Sequence, residues 1–183
     1  MKMKYSLLFV AFLMLLTPLK ASAVFDGERH GFMMNIGGGF GQGRFSWQGN
    51  SVDGTGFIAD IKIGGGPSDQ VHIYYVNQAL WYSPGSSSSR VINAFYGGGV
   101  SYYLEPQAPS LFFSGALGLG MLINADWDGS DSGGFGFTLG AGYEIVRNLA
   151  VEFTFMNSSV SSDFSSENNT ISHFAITFSW LAY

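Results

Sequence analysis

Residues 172–183 read S-H-F-A-I-T-F-S-W-L-A-Y, and the reading of this stretch decides the fold. Phe174, Ile176, Phe178 and Trp180 alternate with Ala175, Thr177 and Ser179. A period of two is the mark of a strand whose two faces meet different surroundings. An aromatic strand at the very end of a chain has a purpose if the sheet closes on itself and the last strand seals against the first. The alternation slips at its end, because Leu181 and Tyr183 fall on the opposite parity to Trp180. Either a bulge near Trp180 restores the phase, or Tyr183 turns inward at the rim.

The same pattern recurs upstream. Phe32, Met34, Ile36 and Phe40 share one parity, as do Phe57, Ala59, Ile61 and Ile63, which alternate with Asp60 and Lys62. Val71, Ile73, Tyr75, Ala79 and Trp81 alternate with His72, Tyr74 and Gln78, although Asn77 falls among the apolar set. Ile92 to Leu104, Leu111 to Ile123 and Phe135 to Ile145 continue the series, with Glu144 on the polar parity. Val151, Phe153 and Phe155 alternate with Glu152 and Thr154. With the last stretch this makes eight predicted strands. Gly66-Pro67-Ser68-Asp69, Glu105 to Pro109 and Arg147-Asn148-Leu149 are short links. Gly41 to Gly54, Ser83 to Ser89, Ala125 to Gly134 and Ser158 to Asn169 are polar, longer and read as loops.

Composition says what the apolar parity faces. Only 11% of the 183 residues are charged and 16% are aromatic, against roughly 25% charged in an ordinary soluble domain. Past the N-terminus no run approaches the ~18 apolar residues of a membrane helix. Apolar surface without apolar helices points to membrane-spanning strands, with the charged parity in the lumen, because a charge on the lipid face costs about 2 to 4 kcal/mol for Lys or Arg at mid-depth. A soluble eight-stranded ligand-binding barrel is the rival. Its water-facing parity would carry many charges, whereas the polar parity here is mostly Gly, Ala, Ser and Thr, which suits a crowded narrow lumen.

Residues 1–23 read as a cleaved signal peptide: Lys2 and Lys4, an apolar run from Tyr5 to Leu16, then Ala21-Ser22-Ala23. Residues 24–183 form one barrel domain. Without Lys2, Lys4 and Lys20, five basic residues face 13 acidic ones, a balance that disfavours nucleic acid. With no cysteine in the chain, disulfides and thiolate-bound metal are excluded.

These features together resemble the small outer-membrane beta-barrel domain family, the porin-like OmpA/OmpX type. The resemblance covers 24–183 and rests on pattern rather than on a unique motif. It implies an all-β, eight-stranded antiparallel transmembrane barrel in the bacterial outer membrane, with short periplasmic turns and longer extracellular loops. It further implies lipids of that membrane as surroundings, contact with the barrel-assembly machinery through the C-terminal strand, and a monomer. Trp81, Tyr82 and Trp127 are then expected at the outer interface, and Tyr102, Tyr103, Tyr143, Trp180 and Tyr183 at the inner one.

Asp60, Lys62, His72, Glu144 and Glu152 all fall on lumen parity. Charges in a narrow interior must pair, so a lumen-filling salt-bridge network is the ordinary reading and an ion or proton path the functional one. A three-residue link would set Glu144 and Glu152 directly opposite each other, where they repel unless one is protonated or a cation intervenes. Asp126-Trp127-Asp128-Gly129-Ser130-Asp131 has the spacing of part of a calcium loop but lacks the downstream bidentate Glu, so it reads as a solvated acidic loop. No cofactor or metal is expected. Nor is a catalytic residue: His173 precedes Phe174 and Ala175, without the His-x-Ser arrangement of outer-membrane lipid deacylases. His30 and His173 are potential neighbours at the closure seam. The expected role is structural or surface-interacting with a packed lumen; the alternative is a narrow conduit for small or apolar solutes.

Overall fold

The computed structural model describes residues 28–85, 90–124, 132–162 and 165–183. Eight antiparallel strands close into a barrel in sequence order. They are β1 (Gly31–Trp47), β2 (Asn50–Ser68), β3 (Val71–Tyr82), β4 (Val91–Tyr103), β5 (Ser110–Asn124), β6 (Ser132–Val146), β7 (Leu149–Ser162) and β8 (Ser165–Ala182). The seam is the β1–β8 ladder, in which Ile36 lies opposite Trp180 and Phe40 opposite Ile176. Closure leaves no open sheet edge.

The stagger follows from the registers. From Asn35 the cross-strand path runs through Lys62, Val76, Gly97, Gly118, Gly136, Ser158 and Ile171 and returns to β1 at Phe45, ten residues along from Asn35. Eight strands with this stagger tilt by about 35–45° and enclose a bore that side chains can fill.

Alternation sorts the side chains as the chain periodicity requires. Leu117 and Phe40 are 62% and 76% exposed on the outer wall, whereas Lys62, Glu144 and Glu152 are buried inside. The outer wall is apolar through Ile73, Val100, Phe113, Leu119, Leu139 and Phe178, with Asn77 set among these residues between Ile61 and Tyr96.

Two predicted loops are strands. Gly41 to Gly54 continues the β1–β2 ladder up to Trp47 opposite Asn50. A two-residue turn joins them, with Gln48 at φ 44° and Gly49 at φ 79°, the pair of positive angles of a type I′ hairpin turn. Likewise β7 runs to Ser162 and β8 starts at Ser165. Above an apolar band both faces of a strand meet polar surroundings, so the ladder continues although the alternation that marks it fades. At the opposite end, β2 passes through Gly66-Pro67-Ser68 with a register shift before turning at Asp69 and Gln70.

Candidate functional site

The lumen is the part of the molecule with unusual chemistry, and it has two halves. The half near the chain termini is polar. β2 supplies Asp60 and Lys62, β3 His72, β6 Glu144 and β7 Glu152, all on inward parity and all buried.

Two separate clusters result. In the deeper one, Lys62 Nζ donates to Glu152 Oε2 at 2.5 Å and lies 3.5 Å from Asp60 Oδ2. Ser114 donates to the other Glu152 oxygen at 2.5 Å, and the ammonium sits 5.4 Å from the Tyr74 ring centre. Among the described residues neither oxygen of Asp60 has a hydrogen-bond partner. Two carboxylates therefore face one ammonium, and Glu152 holds it.

The second cluster is centred on Arg29, which precedes β1 and which sequence periodicity did not single out. Its Nε and Nη2 donate to Glu144 Oε2 at 2.9 and 2.5 Å. Nη1 donates to the Glu105 carbonyl at 2.5 Å. The guanidinium lies 4.2 Å from the centre of the Tyr103 ring, and Arg29 is only 1% exposed. His72 Nε2 donates to the Arg29 carbonyl at 3.0 Å. A Cβ at position 66 would collide with that same carbonyl, so Gly66 is what lets the N-terminal segment pass so close to β2. Arg29 thus stoppers the end of the barrel where the chain enters and leaves.

Glu144 and Glu152 are not opposite each other: Glu144 pairs with Ala150, and Glu152 with Gly142. A register shift between Glu144 and Val146 accommodates the link. Each carboxylate has its own cation, so the expected repulsion is relieved by separation.

Four of the predicted rim aromatics, Trp81, Tyr102, Tyr143 and Trp180, are exposed on the outer wall. Three others point inward. Tyr82 packs with Ile58, Leu80 and Ala175; Tyr103 and Tyr183 pack with Phe112, Ala150 and Leu181. Their parity dictates it, since each follows an outward residue by an odd step. Trp127 lies outside the described residues. For Tyr183 the unbroken β8 ladder, with Met34 opposite Ala182, removes the bulge and turns the ring inward, where its hydroxyl donates to Glu144 Oε1.

The other half of the lumen is apolar. Ile58, Leu80, Phe95, Met156 and Ile171 have no exposed surface, and they fill the bore beyond the Lys62 cluster. Among them stand a few polar groups. Asn93 Nδ2 donates to the Ser172 carbonyl at 3.3 Å, and among the described residues both His173 ring nitrogens lack a partner. His30, exposed beside Asp69 and Glu28, is at the opposite end from His173, so they are not neighbours. No histidine bonds a serine hydroxyl among the described residues, and none of these holds a metal-ligating group of three or more. The acidic stretch 126–131 lies outside the described residues. What the interior chemistry does is cross-link six strands and two termini.

The inward aliphatic residues lie on the parity that elsewhere is polar, so alternation alone does not mark them. Their signal is adjacent apolar residues, as in Phe57-Ile58-Ala59, Ala79-Leu80-Trp81 and Phe155-Met156, where both faces are apolar at once.

An all-antiparallel, eight-stranded, ten-residue-staggered barrel with an apolar outer wall and a filled bore is the fold of small outer-membrane proteins of the OmpA/OmpX type. Among solved structures the chain is similar to Ail, the attachment invasion locus protein of Yersinia pestis, with TM-score 0.59 and 11% identity over 82% of this chain and 98% of that one. It is similar also to Neisserial surface protein A, with TM-score 0.58 and 16% identity over 80% of this chain and 96% of that one. A further Ail structure, in complex with the heparin analogue sucrose octasulfate, aligns with TM-score 0.53 and 11% identity over 82% and 98% of the two chains. No protein-family model matches the chain, and no curated protein matches it in sequence.

Proposed function

We propose that this is a non-enzymatic, monomeric outer-membrane barrel that works through its outer surface, as a structural or surface-interaction protein, and not through its bore. On this reading residues 1–23 direct export and are removed, the termini face the periplasm, and β8 engages the barrel-assembly machinery. The observation that carries it is the filled lumen. A solute would have to displace Ile58, Leu80, Phe95, Met156 and Ile171, all fully buried, and beyond them the Lys62–Glu152 and Arg29–Glu144 pairs.

The outer wall supports the location: an apolar belt, broken at Asn77, on a closed sheet suits a bilayer, where every backbone group must be paired within the protein.

Planar-bilayer recording on the refolded protein tests the proposal. The expected result is a quiet membrane. Reproducible unit currents that fall when Lys62 or Glu152 is replaced would show a conduit instead.

A further inference from the structure

On the outer wall, where β2, β1, β8 and β7 lie side by side, cross-strand neighbours form rows whose chemistry changes abruptly. One row is Phe57, Phe40, Ile176 and Phe153; four residues further along the strands stand Asp53, Arg44, Ser172 and Asn157. Between them lie Thr55, Gln42, Phe174 and Phe155.

Two recesses meet at this boundary. The lower is an apolar groove of about 520 Å³ walled by Phe40 and Phe57 on one side and by Phe153, Phe174 and Ile176 on the other. The upper is a cavity of about 100 Å³ lined by Gln42, Arg44, Asp53, Ser172 and Phe174. Phe174 belongs to both. The upper cavity has room for roughly three water volumes, which is the scale of one phosphate group.

Its donors are poised. Asp53 takes Arg44 Nε and Nη2 at 2.6 and 3.0 Å, a fork that fixes the guanidinium plane and leaves Nη1 without a partner among the described residues. The Gln42 amide and the Ser172 hydroxyl line the same cavity. A planar guanidinium is the side chain best suited to phosphate oxygens. An apolar groove capped by such donors has the two-part chemistry of a lipid molecule.

We propose that the outer wall over β1 holds one phosphate-bearing lipid, its phosphate on Arg44, Gln42 and Ser172 and an acyl chain in the groove between Phe40 and Phe174. The Arg44–Asp53 pair serves as the headgroup clamp, Asp53 orienting the guanidinium. This rests on the membrane placement proposed above.

Native mass spectrometry of the full-length protein, expressed in a host with an outer membrane and extracted into a phosphate-free detergent, tests the site. Lipid A carrying both phosphates, fully dephosphorylated lipid A and phosphatidylglycerol are titrated in turn. The wild type is expected to take one phosphorylated lipid A about tenfold more tightly than the dephosphorylated form, since one charge-assisted hydrogen bond is worth about that ratio. Arg44→Gln should erase that ratio. Phe174→Ala should weaken both forms together. Phosphatidylglycerol binding as well as lipid A identifies a general phospholipid site, and binding only of lipid A a glycolipid site. A wild-type ratio near one, or Arg44→Gln keeping the ratio, overturns the site while leaving the barrel reading intact. Protein absent from the membrane fraction, or lacking the folded barrel's resistance to unfolding in cold detergent, overturns both.

Discussion

The two halves of the lumen solve the same packing problem with opposite chemistry. Near the termini the bore is filled by charged groups held in two clusters, Lys62 with Glu152 and Asp60 and Arg29 with Glu144; beyond them it is filled by Ile58, Leu80, Phe95, Met156 and Ile171. The difference lies in what each half can tolerate. An apolar plug is non-directional, so it loses stability in proportion to the volume removed. A buried ion pair is conditional on both partners, since one left alone is an uncompensated charge. The polar half is therefore the more specific lock and the apolar half the more forgiving filler.

The sharpest way to break this contrast is Glu144→Ala, which strands the Arg29 guanidinium. The expected loss is about 3 to 5 kcal/mol in urea unfolding from detergent micelles or vesicles. A loss below that of a core truncation would mean that the carbonyls of Glu105 and Asp69, which accept from Arg29 Nη1 at 2.5 and 3.5 Å, suffice for Arg29. Next is Met156→Ala in the plug, expected to cost about 2 to 4 kcal/mol, with the barrel still closed and silent in conductance. Opening of a current there would show that the apolar half alone makes the seal.

Asp60→Asn should be close to neutral, within about 1 kcal/mol, because Lys62 is held by Glu152 and Asp60 accepts no hydrogen bond. A loss as large as that of Glu144→Ala would make Asp60 a full member of the ion-pair lock. The smallest effect lies outside the bore. The Arg44 hydrogen bond holds the Asp53 carboxyl below its ordinary range. A lowered carboxylate pKa contributes stability above the unfolded value, lost as pH falls through the folded one. Carboxyl NMR titration should show Asp53 rising toward its ordinary pKa in Arg44→Gln; an unchanged value would remove the ion pair from the surface clamp.

How much of this could be read in the chain depends on which faces differ. Inside the belt, an apolar outer wall on one side and a lumen on the other impose alternation, so strand number, order and the inward placement of Asp60, Lys62, His72, Glu144 and Glu152 were legible. In Gly41 to Gly54 both faces are polar and glycine-rich, and a hairpin ladder looked like a loop. Arg29 was illegible because its segment has no period; only the folded barrel brings it beneath Glu144, 115 residues away. The offset of Glu144 from Glu152 comes from a two-residue turn, Arg147-Asn148, in place of the expected three-residue link, together with a register shift, and no alternation pattern encodes either. The end of β8 carried its own answer in the phase slip after Trp180.

Arg29 gathers contacts from places that are far apart until the ring is complete. It needs the Glu144 carboxylate of β6, the His72 ring of β3, the Tyr103 face at the end of β4 and the Glu105 carbonyl beyond it. Tyr183, the last residue, reaches the same carboxylate. These groups come from strands that are not all neighbours in the sheet, so Arg29 and Tyr183 tie β3, β4 and β6 to the segments where the described chain begins and ends. The stopper thus reads the register of the strands that supply its partners: a slip that carried Glu144 away would leave Arg29 and Tyr183 without their shared carboxylate.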